Sequence, residues 1–148
     1  MIKIEVKPFD ALSIEELYQI LQLRSEVFVV EQDCVYQDMD GKDKDALHVI
    51  GYKNNKLVAY TRIFEPGYYF EYSSIGRVVV DKNERTHGYG YDIMNASIKA
   101  IKNTYNTSKI KISAQVYLKR FYNNLEFFEV GEGYLEDGIP HIGMIRSR

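Results

Sequence analysis

Residues 75–101 read IGRVVVDKNERTHGYGYDIMNASIKAI, a strand, a turn and a helix in one run. Val78, Val79 and Val80 are β-branched and suit a strand. Asp81, Lys82 and Asn83 mark a turn. Gly88 and Gly90 then open a segment in which Ile93, Met94, Ile98 and Ile101 recur at helical spacing, giving one apolar face. A strand, a glycine turn and a helix N-terminus together suit a phosphate. The first helical N–H groups lack partners within the helix, and the dipole favours an anion there. Glycine lets the backbone approach a ligand with no Cβ in the way.

Two nucleotide loops are excluded by their missing residues. A Walker loop needs Lys and then Ser or Thr after its last Gly, whereas Tyr91 and Asp92 follow Gly90. A dinucleotide fingerprint needs a third small residue where Ile93 stands, and an acid about 20 residues on, where Tyr105 to Lys111 has none. The pattern that fits is R-x-x-G-x-G, carried by Arg85, Gly88 and Gly90. It resembles the coenzyme A pyrophosphate loop of the GNAT acyltransferase superfamily. An ordinary glycine turn before a surface helix has the same local pattern, so the rest of the chain decides.

The chain has 148 residues, the size of one domain, and we expect a single domain over 1–148. Hydrophobic residues make up 45% and charged residues 27%, a globular balance. The net charge of −2, with Lys and Arg spread along the chain, argues against nucleic acid as a partner. Cys34 is the single cysteine, so no disulfide forms within the chain, as suits a reducing compartment. The N-terminus alternates apolar and charged residues and has no apolar core of a signal peptide. No apolar run approaches a membrane span, so the expectation is a cytoplasmic protein with no membrane partner.

In chain order, Ile2, Ile4 and Val6 alternate with charges as in a half-buried strand. Ser13 and Glu16 form a capping box, and a helix follows through Leu17, Ile20, Leu21, Arg24, Val27 and Phe28. An acidic loop then carries Glu31, Asp33, Asp38, Asp40, Asp43 and Asp45. Its spacing does not match a calcium loop, so we expect a solvated or substrate-facing loop and no metal. Residues 47–52 and 57–64 read as strands around an Asn54–Asn55 hairpin turn. The aromatic loop Tyr68 to Tyr72 can pack on the core, line a pocket or meet another subunit, which leaves a homodimer open. Later strands are expected near 109–116, at Phe127, Phe128 and Val130, and over Ile139 to Ile145, with Gly131 and Gly133 as turn positions. The order β-α-β-β-β-α-β-α-β-β implies an α/β fold, one mixed sheet with helices packed on it.

That order is the GNAT order. The segment KRFYNNLEFF, residues 119–128, resembles the family's short helix after the fifth strand, and Tyr122 matches its tyrosine. The family usually has Gly before the aromatic that resumes the sheet; here Glu126 precedes Phe127. Blocks at 24–32, 36–43, 75–80, 114–115 and 134–144 are similar to the ElaA-like branch. The resemblance implies an N-acetyltransferase that takes acetyl-CoA as donor and a primary amine, of a small molecule or a protein, as acceptor.

It also implies roles for particular residues. Arg85, Thr86, His87, Gly88, Tyr89 and Gly90 would hold the pyrophosphate. Val78, Val79 and Val80 would run beside the pantetheine arm and offer a backbone N–H to the thioester carbonyl. Tyr122 would protonate the departing thiolate. For the base, candidates are Glu31, Asp38, His48, Glu136, Asp137 and His141; an acid near Glu31 or Glu136 is preferred, with Asp38, His48, Asp137 and His141 on the acceptor side. The same fold also admits a non-catalytic acyl-CoA-binding or regulatory module.

Overall fold

The computed structural model describes residues 2–147; the two ends of the expected domain, Met1 and Arg148, lie outside the described residues. Seven strands form one mixed sheet: β1 (Lys3–Pro8), β2 (Leu47–Lys53), β3 (Lys56–Phe64), β4 (Ser73–Val80), β5 (Ile110–Gln115), β6 (Phe128–Glu136) and β7 (Ile139–Arg146). Their spatial order is β1-β2-β3-β4-β5-β7-β6, and β4–β5 is the parallel pair. The helices are α1 (Ile14–Arg24), α2 (Tyr89–Tyr105) and α3 (Lys119–Asn123). The mixed sheet and the element order agree with the sequence reading.

Side chains alternate across a strand, so β3 feeds two cores. Ala59 and Ile63 join Ile93, Met94 and Ile101 of α2, while Tyr60 joins Ile20 and Leu23 of α1. Each such fully buried aliphatic side chain contributes about 1.5–3 kcal/mol. The α1 start is the expected capping box: Ser13 Oγ accepts from the Glu16 N–H and Glu16 Oε1 from the Ser13 N–H, both at 3.0 Å. Asn54 and Asn55, at φ 50° and 65°, make the expected tight turn with both residues left-handed.

Two local expectations need correction. The first helix does not continue as an α-helix to Phe28. It ends at Arg24, and Ser25–Glu31 is π-helical. The Gln32 N–H reaches the Val27 carbonyl at 3.1 Å and the Cys34 N–H the Val29 carbonyl at 3.0 Å, each five residues back. Gly131 and Gly133 are not a turn between strands but lie within β6. Val130 faces Gly143 and Tyr134 faces His141, so four steps on β6 match two on β7, and Gly131 at φ 71° absorbs the bulge. The reversal comes at Asp137–Gly138, both at positive φ (53° and 77°), a two-residue hairpin. Glu126 takes φ 68° where a glycine would be unstrained; the Phe127 N–H still closes on the Tyr122 carbonyl at 3.0 Å, so the cap geometry survives the substitution.

Candidate active site

The site is a cleft made by two neighbouring strands that separate. β4 and β5 pair only at Ser73–Ile110 and Ser74–Lys111, although β4 runs on to Val80 and β5 to Gln115. Beyond that point a cavity of about 1070 Å³ opens between them, walled by Val78, Val79 and Val80 on one side and Ile112, Ser113 and Gln115 on the other. On its other edge β4 bulges. Tyr60 faces Val79 but Arg62 faces Gly76, so two steps on β3 match three on β4, and Arg77 sits at φ 52°. A bulge leaves its extra residue outside the ladder. β4 thus borders the cleft with backbone groups that no neighbouring strand takes up.

The loop after β4 turns through Lys82–Glu84, where Asp81 Oδ1 accepts from the Asn83 N–H at 2.9 Å. Thr86 and Gly88 are left-handed, and α2 begins at Tyr89 with no side chain capping its N-terminus. Its first N–H groups therefore stay available to an anion. A Cβ added at Gly88 would meet nothing within 4 Å, so the φ of 79°, not crowding, is what demands glycine in the free protein. At Gly90 an added Cβ would come to 3.2 Å from the Phe121 ring, which would have to give by a few tenths of an ångström. Arg85, Thr86, Gly88, Tyr89 and Gly90 all line the cavity. His87 does not. It lines a separate depression with Ile2, Ile4 and Tyr89, because it points off the other side of the loop.

Glu31, expected among the bases, instead grips Arg85. Arg85 Nη1 and Nη2 donate to its two carboxylate oxygens at 2.6 and 2.9 Å, and the same guanidinium donates to the Val80 carbonyl. The Arg85 bonds hold the Glu31 carboxyl below its usual range, which makes it a poor proton acceptor and a good anchor for Arg85. The π-helical turn delivers Glu31 to this place.

Tyr122 lines the cavity from α3, 5% exposed, its ring edge-on to Phe121 and Phe127. Among the described residues no hydrogen bond engages its hydroxyl. Burial pushes the phenol well above its usual range, so it stays protonated at neutral pH.

The acidic loop behaves differently from expectation. Asp38 is buried, not substrate-facing: Arg24 Nε and Arg77 Nε donate to its two oxygens, both at 2.8 Å. Asp43 accepts from Arg24 and Arg62 at 2.8 Å each, and Asp40 from both Arg62 Nη atoms. His48 is fully buried and does not line the cavity. Its Nε2–H donates to the Asp43 carbonyl at 2.9 Å, so its Nδ1 is the acceptor for the Tyr60 hydroxyl at 2.6 Å. Burial lowers its pKa. Asp38 and His48 hold the loop; they do not meet an acceptor.

Glu136, Asp137 and His141 do come together on the cavity wall, with Cys34, Tyr36 and Ser113. Cys34 Sγ donates to the Asp137 carbonyl at 3.3 Å, tying the loop after the π-helical turn to the β6–β7 hairpin. Ser113 hydrogen-bonds Tyr134 and donates to Glu136 Oε1 at 3.2 Å. Sequence reasoning missed Ser113, Tyr134 and Arg77. Only the β5–β7–β6 register places Tyr134 beside His141 and within reach of Ser113, and only the bulge turns Arg77 toward Asp38. No helix among the described residues is long and apolar enough to cross a membrane.

Comparison with known proteins gives these similarities. Residues 11–147 match the family model described as the acetyltransferase (GNAT) domain. Protein ElaA of Escherichia coli (strain K12) is 44% identical over 138 residues, 92% of this chain and 90% of ElaA. The crystal structure of E. coli ElaA superposes with a TM-score of 0.91 at 41% identity, over 99% of this chain and 100% of the other. An acyl-CoA N-acyltransferase from Pseudomonas aeruginosa superposes with a TM-score of 0.93 at 39% identity, over 99% and 100%.

Proposed function

Since the chain belongs to the GNAT acetyltransferase family, in the ElaA-like branch, we propose that it moves an acetyl group from acetyl-CoA to a primary amine by direct attack. The observation that carries this reading is the separation of β4 from β5 above an uncapped helix N-terminus. Together they offer what an acyl-CoA needs: an open strand edge for an amide-bearing arm and N–H groups for a pyrophosphate. The residues present fit the molecule, because one cavity of about 1070 Å³ is lined by both Arg85 and His141 and by polar and apolar side chains.

Acetyl-CoA supplies an activated acyl group and a thiolate leaving group. The α2 N-terminus and the Thr86–Gly90 backbone would bind its phosphates, with Arg85 held in place by Glu31. A backbone N–H at the bulge beside Val78 would polarise the thioester carbonyl. Tyr122, neutral and with its hydroxyl unengaged, would give its proton to the sulfur. Glu136 and Asp137, which no Lys or Arg pairs among the described residues, would draw a cationic amine to the other end of the cleft.

A panel of amines tests this. Purified protein with acetyl-CoA should release coenzyme A thiol only when a suitable amine is present, and mass spectrometry should find the acetyl group on its nitrogen. Binding of acetyl-CoA with no amine-dependent thiol release across a broad panel, small molecules and peptides included, would instead indicate a binding module.

A further inference from the structure

We propose that His141 is the general base that deprotonates the acceptor amine, with Glu136 as the carboxylate beside its Nε2 that relays the proton to solvent. This deepens the acetyltransferase reading and rests on it. His141 Nδ1 lies 2.7 Å from the Ile139 carbonyl oxygen. A carbonyl can only accept, so Nδ1 carries the hydrogen and the lone pair of the neutral ring is on Nε2. Nε2 has no hydrogen-bond donor against it among the described residues. Its neighbour is Glu136 Oε2 at 3.6 Å, an acceptor. His141 is 6% exposed and on the cavity wall, and its ring is stacked on Tyr134. A ring with a fixed tautomer, an unoccupied lone pair and a carboxylate beside that lone pair is ready to receive one proton.

The sheet explains why the ring is there. Gln115 faces His141, and His141 faces Tyr134, so the imidazole stands at the level where β5 has already parted from β4. The Asp137–Gly138 hairpin brings Glu136 and Ile139 to the two sides of the ring. The contrast with His48 is instructive. Both nitrogens of His48 are committed, one as donor and one as acceptor, and the ring is sealed.

Proton by proton, the step balances. The acceptor arrives as an ammonium ion and gives one proton to Nε2, leaving a neutral amine. The amine nitrogen then forms the C–N bond as the C–S bond breaks, and it sheds a second proton. Tyr122 gives a proton to sulfur and is reprotonated, through water, by that second amine proton, so only the proton taken up by Nε2 is released overall. Glu136, half exposed, leads from the imidazolium to solvent. The charged and titratable groups around His141 are Glu136 and Tyr134 on β6, Asp137 in the hairpin, Cys34 and Tyr36 from the loop across the cavity, and Arg77 beyond Tyr36. Among the carboxylates of the described residues, Glu136 alone has an oxygen within 4 Å of Nε2.

The test combines pH profiles with nuclear magnetic resonance. For the wild type, kcat/KM should rise with pH to a plateau, as general-base catalysis requires. His141→Asn keeps a donor for the Ile139 carbonyl but deletes Nε2. It should lower kcat/KM on the order of 10²-fold and abolish that rising limb, with acetyl-CoA affinity unchanged. Glu136→Gln should lower kcat/KM by a smaller factor than His141→Asn, again with acetyl-CoA affinity unchanged. Nitrogen-15 spectra of the wild-type protein should show the Nδ1–H tautomer above the titration. An Nε2–H tautomer would overturn the proposal whether or not an acceptor is known, and this reading does not depend on any variant folding. Transfer by His141→Asn at the wild-type rate would overturn the base role alone. No transfer by the wild type to any amine would overturn the acetyltransferase reading itself, and the base role with it.

Discussion

Two acid-rich regions, 38–43 and 136–137, look alike in the sequence and end in opposite states. In the first, three aspartates meet three arginines: Arg24, Arg62 and Arg77 account for every carboxylate of Asp38, Asp40 and Asp43. In the second, Glu136 and Asp137 face a cavity with no Lys or Arg against them among the described residues. The difference shows that acid count does not make a substrate site. What matters is whether the fold brings cations from elsewhere to consume the charge. Arg24 comes from the end of α1, Arg62 from β3 and Arg77 from the β4 bulge; no comparable cation reaches the β6–β7 hairpin. The histidines follow their regions, His48 sealed under Asp43 and His141 open beside Glu136.

The largest expected effect comes from breaking the paired region. Asp43→Ala strands Arg24 and Arg62, both buried, with a lost partner, and should cost about 3–5 kcal/mol. That corresponds to a melting temperature lower by roughly 10 °C, whereas Glu136→Gln should change stability by no more than about 0.5 kcal/mol. Calorimetric melts of the two variants check this; equal effects would erase the distinction. The pH dependence has the same origin. Asp43 and Asp40 are pushed up by burial but held below the usual carboxylate range by their arginines. A depressed carboxylate contributes stability above its unfolded pKa and loses it as pH falls through the folded value. Stability conferred by the loop should therefore persist through mild acid and fall only below about pH 4. Asp43→Ala should flatten that acid limb.

A smaller effect sharpens the comparison from the cofactor side. Gly88→Val forces a β-branched residue into φ 79° and puts a side chain where the anion would approach. Acetyl-CoA affinity should drop by about tenfold or more, roughly 1.4 kcal/mol, with both acidic regions intact. Isothermal calorimetry reads it directly, and unchanged affinity would remove the loop from the site. The smallest effect touches neither region. Glu126→Gly relieves the left-handed strain at the end of α3 and should raise stability by up to about 1 kcal/mol, seen as a melting temperature a few degrees higher.

Much of this was legible in the chain, for reasons that are local. The capping box at Ser13, the Asn54–Asn55 turn, the alternation in β5 and the glycine loop before α2 each depend on a few neighbouring residues. Arg85, Thr86, Gly88, Tyr89, Gly90 and Tyr122 were expected from motif alone and line the cavity, whereas His87 lines a separate depression. What was not legible depends on distant pairings. Nothing near Asp38 or His48 announces that Arg24, Arg62 and Arg77 will converge on that loop. The separation of β4 from β5 has no sequence signal, because both strands carry ordinary strand residues past their last pair. The Asp137–Gly138 hairpin did carry a signal, the Asp-Gly dipeptide, but Gly131 and Gly133 offered a competing turn that proved to be a bulge.

The central claim is that the cleft between β4 and β5 delivers a thioester sulfur to Tyr122. Tyr122→Phe keeps the ring between Phe121 and Phe127 and removes only the hydroxyl. With an acceptor amine identified, the decisive measurement is its steady-state turnover beside its acetyl-CoA affinity and melting temperature. The account predicts turnover lower on the order of 10²-fold, with affinity and melting temperature nearly unchanged. Turnover within about twofold of the wild type, far less than the loss of a positioned acid costs, would contradict it.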